Sequence, residues 1–260
     1  MDTHVETPRK LNNTALGELI LDQYTDALGR GRIYHFLELA LAHPGEDASE
    51  LLGRENSEVL FLTNYVGLFC QMGEQCKRGI ESAKSFFQDF RKLKYEEVEA
   101  SYIELFSANF PHLPCPPYGS LFLSFEGDKR LEEMRAIKEF YQKYGIDIDE
   151  SFDDLPDHLC VELEFLQILC FREDEAEKMG DCELVASVRT VQAEFLDRFL
   201  LPFAARISEI ANETMPENLY SKLLDVTNCT LLQHRHLLSK EPQVDCGQEN
   251  RHEKKLLSIH

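Results

Sequence analysis

Three polar side chains near residue 160 have the types and the spacing that acid–base chemistry needs. Asp157, His158 and Glu162 stand in the stretch DHLCVELEF, and in a helix His158 and Glu162 lie one turn apart on one side. Because histidine titrates near neutral pH, the three could form a proton-transfer set. A capped helix start with a local ion pair is the simpler interpretation, and the pattern alone favours it. Glu164 projects almost oppositely, so one of the two glutamates must find a partner inside the protein.

A second group of residues could bind an apolar segment. Its members are aromatic, apolar or conformationally restricted: Tyr102, Leu105, Phe106, Phe110, Pro116, Pro117, Tyr118, Gly119 and Ser120. The first three share a helix face, and the rigid proline pair can hold the following tyrosine beside that face. Aromatic residues at helical spacing usually belong to a core, so an ordinary buried connection is the alternative that periodicity favours.

The elements around both groups are predicted to be helices. Apolar residues recur every three or four positions in 95–106, 131–144 and 184–199, as they do on amphipathic helices, whereas strand-like alternation is nearly absent. The pattern predicts an all-α fold: a single-domain bundle of roughly eight to ten helices over residues 14–239, with flexible polar segments at 1–13 and 240–260. Pro202 is expected to bend or stop the helix that carries Phe199.

Two loops should interrupt the helices and border one cleft. Residues 110–120 (FPHLPCPPYGS) hold four prolines and a glycine, which remove backbone donors and oppose a helix. Residues 145–156 (GIDIDESFDDLP) are acidic and end at a helix start. There Asp153 or Asp154 is predicted to cap the helix, and Asp157 suits the positive end of its dipole.

Composition excludes several classes of function. The chain of 260 residues has 27 Lys and Arg against 47 Asp and Glu, a formal net charge of −20, which repels nucleic acids and anionic lipids. A cationic partner would be attracted, although acidity also simply keeps a protein soluble. The first ten residues lack the apolar core of a signal peptide and no stretch suits a membrane span, so a cytoplasmic protein is expected.

Motifs for cofactors and common enzyme chemistry are missing. The eight cysteines form no CxxC pair and no zinc-like cluster with histidine, and are expected to be reduced thiols. The sequence also lacks the usual glycine-rich phosphate loops, the GxSxG elbow and the HExxH zinc motif. No cofactor, nucleotide or metal is therefore expected to be needed for folding.

In this order, the two groups of residues resemble the central signature of the TorD/DmsD/NarJ family of redox-enzyme maturation chaperones. The resemblance consists of an aromatic-x-x-Leu-Phe helix end, a Pro-Pro-aromatic-Gly-Ser step and a Pro-Asp-His start of a helix with Glu-Leu. The matching residues are Tyr102, Leu105, Phe106, Pro116, Pro117, Tyr118, Gly119, Ser120, Pro156, Asp157, His158, Glu162 and Leu163. Weaker similarity covers most of the chain, and the family's tryptophans are here Tyr102 and Tyr118.

The resemblance implies an all-helical chaperone and not an enzyme. Such a protein would bind the N-terminal leader, often a twin-arginine signal peptide, of the catalytic subunit of a molybdopterin-containing oxidoreductase of the DMSO reductase family. Binding would accompany cofactor insertion and precede export, with the Tat translocase or the cofactor-insertion machinery as further possible partners. The helix start at Asp157 would meet the cationic part of the leader, and Tyr102, Leu105, Phe106 and Tyr118 its apolar part.

Two other classes stay open. A helical hydrolase would use Asp157, His158 and Glu162 for acid–base catalysis, and a structural subunit would remain in the mature redox complex. Co-purification with a precursor at near-equal amounts, turnover without a partner, or permanent residence in the complex would distinguish the three classes.

Overall fold

The computed structural model describes residues 26–69, 73–107, 113, 115–123, 127–148 and 154–240. The helices found there, numbered in chain order, are α1 (Asp26–Leu41), α2 (Glu46–Gly53), α3 (Glu55–Phe69), α4 (Glu74–Phe90), α5 (Tyr95–Tyr102), α6 (Ser120–Leu123), α7 (Gly127–Lys143), α8 (Leu159–Met179), α9 (Cys182–Phe195), α10 (Leu201–Thr214) and α11 (Leu219–Lys240). Two π-helical segments, Ile103–Ser107 and Leu196–Leu200, extend α5 and α9.

The predicted all-α bundle is confirmed. Ten of the described helices have eight residues or more, and the described part of the chain contains no strand, only an isolated β-bridge between Tyr118 and His158. The fold follows from the three-to-four-residue spacing of apolar residues, which places one stripe of each helix against its neighbours.

Long helices pack in pairs and enclose one continuous apolar core. Helix α1 packs along α8 and α4 packs along α11, while α9 and α10 contact α8 and α11 respectively. Aromatic rings fill the space between helices, with the Phe165 ring centroid 4.7 Å from both Tyr141 and Phe195. These tilted ring contacts join α7, α8 and α9.

A buried ionic network ties three helices together inside the bundle. Glu173 on α8 accepts from Arg30 on α1 at 2.6 Å and from Arg189 on α9 at 2.5 Å. Gln192 adds a third donor at 2.8 Å. Burial alone would raise the pKa of Glu173, but the two guanidinium groups hold it below its usual value. A carboxylate so fully paired can remain ionised within a core.

The helix around Pro202 does not stop. It continues from Cys182 to Thr214 through the π-helical segment Leu196–Leu200, in which the Leu201 N–H bonds to the Leu196 carbonyl five residues earlier. The longer hydrogen bond precedes the proline, which lacks a donor and would interrupt a regular α-helix. The predicted stop at Pro202 is therefore wrong, and the bend given as its alternative stays a prediction.

The predicted terminal segments 1–13 and 240–260 lie outside the described residues, except Lys240, which is the last residue of α11. None of the described helices has a stretch both long enough and apolar enough to cross a lipid bilayer.

Candidate functional site

The two predicted loops meet in a loop junction formed by residues 115–120 and 154–159. The Gly119 N–H donates to the Asp157 carbonyl at 2.9 Å, and the Leu159 N–H donates to the Pro117 carbonyl at 2.9 Å. The Ser120 N–H donates to Asp157 Oδ2 at 2.8 Å. These backbone bonds are non-local, so the junction fixes the first turn of α8 relative to the proline-rich connection.

Helix α8 is capped by His158. The His158 Nδ1 accepts a hydrogen bond from the Cys160 N–H at 3.1 Å, and the backbone of His158 is extended with φ −70° and ψ 137°. Asp154 instead accepts from the Leu155 N–H at 2.7 Å, one turn earlier. The predicted cap at Asp154 is therefore wrong, and Asp153 lies outside the described residues. A histidine serves here because its ring nitrogen accepts in the way a serine or aspartate oxygen would.

Asp157 and Glu162 are buried together beneath the junction. Their exposed fractions are 3% and 1%, and neither Asp157 Oδ1 nor Glu162 Oε2 has a hydrogen-bond partner within the described structure. Burial first, and the nearby Asp157 second, raise the pKa of Glu162 well above its usual value. Because both side chains are buried, neither forms the exposed cation-binding edge that the sequence suggested.

Gly119 makes this close packing possible. A Cβ atom at this position would lie 3.0 Å from Glu162 Oε1 and 3.4 Å from Phe203 Cδ1. The glycine lets the proline-rich connection pass directly over the carboxyl pair. Of the two glutamates weighed in the sequence, Glu162 points into the protein and Glu164 is exposed to solvent.

The proton-transfer set is not assembled in this structure. Burial lowers the pKa of His158, and its Nδ1 is occupied by the Cys160 N–H. The Nε2 atom lies 3.8 Å from Asp154 Oδ2, not against Asp157 or Glu162. No side-chain hydrogen bond found in the described region joins Asp157, His158 and Glu162 to one another.

The aromatic group divides into a buried part and an accessible part. Tyr102, Leu105 and Phe106 are buried, and the rings of Tyr102 and Phe106 pack edge-on against Tyr220 at 5.3 and 5.5 Å. The Tyr118 ring is half-buried and lies 5.4 Å from the His158 ring. The remaining members keep to this division: Pro117, Gly119 and Ser120 are buried, Pro116 is half-buried, and Phe110 lies outside the described residues.

Accessible groups surround Cys160 and form what we call the exposed rim: Glu38, Tyr118, Asp154 and Glu164. Burial, then Glu38, Asp154 and Glu164 in that order, raise the pKa of the Cys160 thiol, so the three carboxylates are its close neighbours. Burial, then the hydrogen bond that its hydroxyl donates to Asp154, raises the pKa of Tyr118 to about 12. The pKa of Glu38 is raised by burial and by Glu164.

Sequence reasoning missed the rim because its members come from separate elements. Glu38 belongs to α1, and the Cys160 thiol donates to its carbonyl at 3.7 Å. Beside the rim, the His43 ring packs against Tyr102 with ring centroids 5.0 Å apart. The weaker family similarity over most of the chain was the signal in the sequence that could have pointed to this contribution. No group of three or more metal-binding side chains occurs in the part of the chain that the structure describes.

Comparison with known proteins places this geometry in a family. Residues 64–209 match the nitrate reductase delta subunit family, and this range includes both loops of the junction. The chain belongs to that family, the TorD/NarJ family.

Individual relatives in the family are named as assembly chaperones. The perchlorate reductase assembly chaperone of Dechloromonas aromatica is 25% identical over 219 residues, which cover 82% of this chain and 92% of the relative. The selenate reductase assembly chaperone of Thauera selenatis is 31% identical over 42% of this chain and 54% of its own length. The chaperone TorD of Vibrio parahaemolyticus is 30% identical, covering 44% of this chain and 51% of its own.

Proposed function

We propose that this protein is a cytoplasmic chaperone for the assembly of a molybdopterin-containing oxidoreductase of the DMSO reductase family. Its client is the catalytic subunit, which it holds during cofactor insertion and before export. The proposal rests on family membership, on relatives named for the assembly of perchlorate and selenate reductases, and on the resemblance of the junction loops. The role is binding and not catalysis.

The observation that carries the finer proposal is the exposed rim. It sets one aromatic ring among three carboxylates at the mouth of the loop junction. The N-terminal leader of the client, with twin arginines before an apolar run, is complementary to this arrangement. Guanidinium groups pair with carboxylates, and the Tyr118 ring offers a flat surface to an apolar or cationic side chain.

The buried signature residues take a different role in this proposal. Asp157 and Glu162 anchor the proline-rich connection to α8, whereas Tyr102 and Phe106 join the core at Tyr220. They hold Tyr118 and Asp154 in place without touching the leader. Substituting them should therefore lower stability and leader binding together.

Calorimetric titration of a twin-arginine leader peptide against single variants tests the proposal. Tyr118→Ala should weaken binding by about 1–3 kcal/mol with unchanged salt dependence, because an aromatic anchor is lost. Asp154→Asn should cost more at low salt than at high salt, because ions screen a contact between carboxylate and guanidinium.

Glu183→Gln is the matched control for the loss of one exposed carboxylate. Glu183 lies in the first turn of α9, beyond the far end of the 21-residue α8, which places it about 30 Å from His158. Thermal melts should show that all three variants remain folded. If Tyr118→Ala and Asp154→Asn bind the leader as the parent does, the rim is not its site.

The two other classes remain distinguishable from this one. Turnover by the isolated protein would favour the hydrolase, and stable residence in the mature complex would favour a structural subunit. Neither has support from the junction, where the carboxyl pair is buried and His158 caps a helix.

A further inference from the structure

A cleft opens between α2, the C-terminal end of α4 and the first turn of α5. Its volume is about 440 Å³, and binding pockets for ligands commonly measure about 300–1,000 Å³. The floor is apolar, because Phe90 and Val98 are buried there and Leu93 is half-buried. We call this space the α2–α5 cleft. None of the residues of the loop junction or of the exposed rim lines it.

The charges at the mouth of the cleft disfavour an anionic ligand. Arg91 lines the cleft, but its guanidinium is 2.6 Å from the carboxylate of Glu58. Glu50 is likewise paired with Arg54 at 2.9 Å. Glu46 is exposed at the mouth, and no ion pair joins it to another described residue. The mouth therefore repels anions and suits an apolar group that has a positive charge beside it.

The Ser49 hydroxyl adds a polar group inside the cleft. Its oxygen is buried and has no hydrogen-bond partner in the part of the chain that the structure describes. Buried polar atoms normally have a partner, because an unpaired one keeps the cost of its desolvation. The amide groups of a peptide would supply a partner, whereas a purely apolar molecule would not. The cleft therefore fits a peptide that has an apolar side chain and a basic neighbour.

Helix α5 leads from the cleft to the exposed rim. Tyr95 lines the cleft at the start of α5, and Tyr102 ends that helix, about 10 Å further along its axis. Burial first, then Cys160 and Tyr118, raise the pKa of Tyr102, so the rim lies beside this end of the helix. The cleft and the rim are thus found at opposite ends of one short helix.

The connection between α1 and α2 runs beside the same helix. Its Pro44 carbonyl accepts a hydrogen bond from the Tyr95 hydroxyl at 3.1 Å, next to the cleft. Its His43 ring packs against the Tyr102 ring, next to the rim, with ring centroids 5.0 Å apart. Contacts at both ends of α5 therefore fix the spacing between cleft and rim, which sets the length of peptide that can bridge them.

We propose that the α2–α5 cleft binds an apolar side chain of the same leader whose arginines pair with the exposed rim. The inference rests on the proposed function and adds a second contact to it. An extended peptide advances about 3.3 Å per residue, so a residue about three to five positions after the second arginine reaches the cleft. The fixed spacing selects leaders by the distance between their arginines and their apolar run.

Filling the cleft tests the inference, by calorimetric titration of a twin-arginine leader peptide. A Cβ atom at Gly53, which lines the cleft, would lie 3.7 Å from Phe90 Cε1, an ordinary contact. Gly53→Leu should therefore occupy the cleft without a clash and lower the affinity by about tenfold, because the apolar side chain of the leader loses its site. Gly67→Leu is the matched control and should leave the affinity unchanged. Gly67 is exposed on α3, and a Cβ atom there would have no neighbour within 4 Å.

A second peptide shows whether the loss occurs in the cleft. It carries serine at the third to fifth positions after the second arginine. The parent should bind it about tenfold more weakly than the first peptide, and Gly53→Leu should cause no further loss, because both changes remove the same contact. Thermal melts check that each variant is folded. Should Gly53→Leu fail to fold, Ser49→Leu, one turn earlier in α2, provides the same comparison.

The outcomes separate this inference from the proposed function. If the variant with a filled cleft binds the first peptide as the parent does, or loses affinity equally for both peptides, the cleft does not hold the leader and the inference is overturned. The proposed function would still stand in that case if Tyr118→Ala weakened the binding of both peptides. Absence of binding between the parent and the first peptide would overturn both proposals.

Discussion

Asp157 and Glu162 bury two carboxyl groups side by side, and each leaves one oxygen without a hydrogen-bond partner in the described structure. Two adjacent ionised carboxylates would repel each other in a core, so one of them must retain its proton. Glu162 is the one whose pKa is raised by burial and by its neighbour. Protonation of Glu162 would remove this repulsion.

Glu162→Gln should change the dependence of stability on pH. A pKa raised in the folded state means that the contribution of Glu162 is complete below its ordinary value of 4.5 and is lost as pH rises towards the folded pKa. Glutamine keeps the shape and cannot ionise. As pH rises from 4.5 towards the folded pKa, the parent should lose up to about 1.4 kcal/mol of unfolding free energy per pH unit relative to the variant.

Urea unfolding at several pH values measures this difference. His158 and His234, whose buried rings have lowered pKa values, act in the opposite direction as pH falls below 6.5. Both histidines are present in the parent and in the variant, so their contributions to the pH dependence of stability cancel when the two proteins are compared. Glu164→Gln, which removes an exposed carboxylate two residues away, is the matched control. Parallel curves for the parent and Glu162→Gln would mean that Glu162 is ionised.

For single residues, the sequence could predict which side chains are neighbours along one helix. It could not predict which side chains from other segments pack against them. The spacing of His158 and Glu162 showed that they share a side, which is a property of the helix alone. It could not show that Gly119 packs against Glu162, because the glycine comes from a distant part of the chain. The burial of Glu162 depends on those contacts.

Among the elements, α8 depends on the loop junction for its first turn. Its buried face packs along α1 and α9, and its N-terminal backbone is held by Pro117 and capped by His158. The periodicity of apolar residues predicted the helices well. It did not predict the cap or the π-helical segment before Pro202, because both depend on single hydrogen bonds and not on a repeating pattern.

His158→Ala should destabilise the protein by about 0.5–2 kcal/mol, because the first turn of α8 loses its cap. His158→Asn should recover most of this loss, since the asparagine oxygen accepts from the same backbone N–H and cannot take up a proton near neutral pH. Chemical unfolding and leader titration of both variants provide the measurement. If asparagine restored stability but not leader binding, the imidazole itself would be required.

For the whole molecule, the fold class followed from the sequence but the arrangement of the helices did not. Each apolar stripe shows that a helix packs against something, and continuous stripes exclude a sheet. Nothing in the stripes shows that α1 lies along α8, or that Arg30 reaches Glu173 across 143 residues. That information lies in the fit of side chains from distant segments, which periodicity does not encode.

The net charge of −20 should act on the client before contact is made. An acidic protein attracts a cationic leader over a distance set by screening, about 30 Å at 10 mM salt and about 10 Å at 100 mM. Stopped-flow binding of a labelled leader should therefore show an association rate that falls steeply with salt. The dissociation rate should change much less, because it depends on close contacts.

One variant of the protein and one variant of the leader separate the long-range attraction from close contacts at the exposed rim. Asp154→Asn removes one of many negative charges, so the association rate should keep nearly all of its salt dependence. Dissociation should become faster, by a larger factor at low salt than at high salt. A leader with both arginines changed to glutamine should lose most of the salt dependence with either protein, because the attraction needs charge on both partners. Should the parent protein associate with the arginine leader at the same rate at 10 and 200 mM salt, the acidity would serve solubility alone.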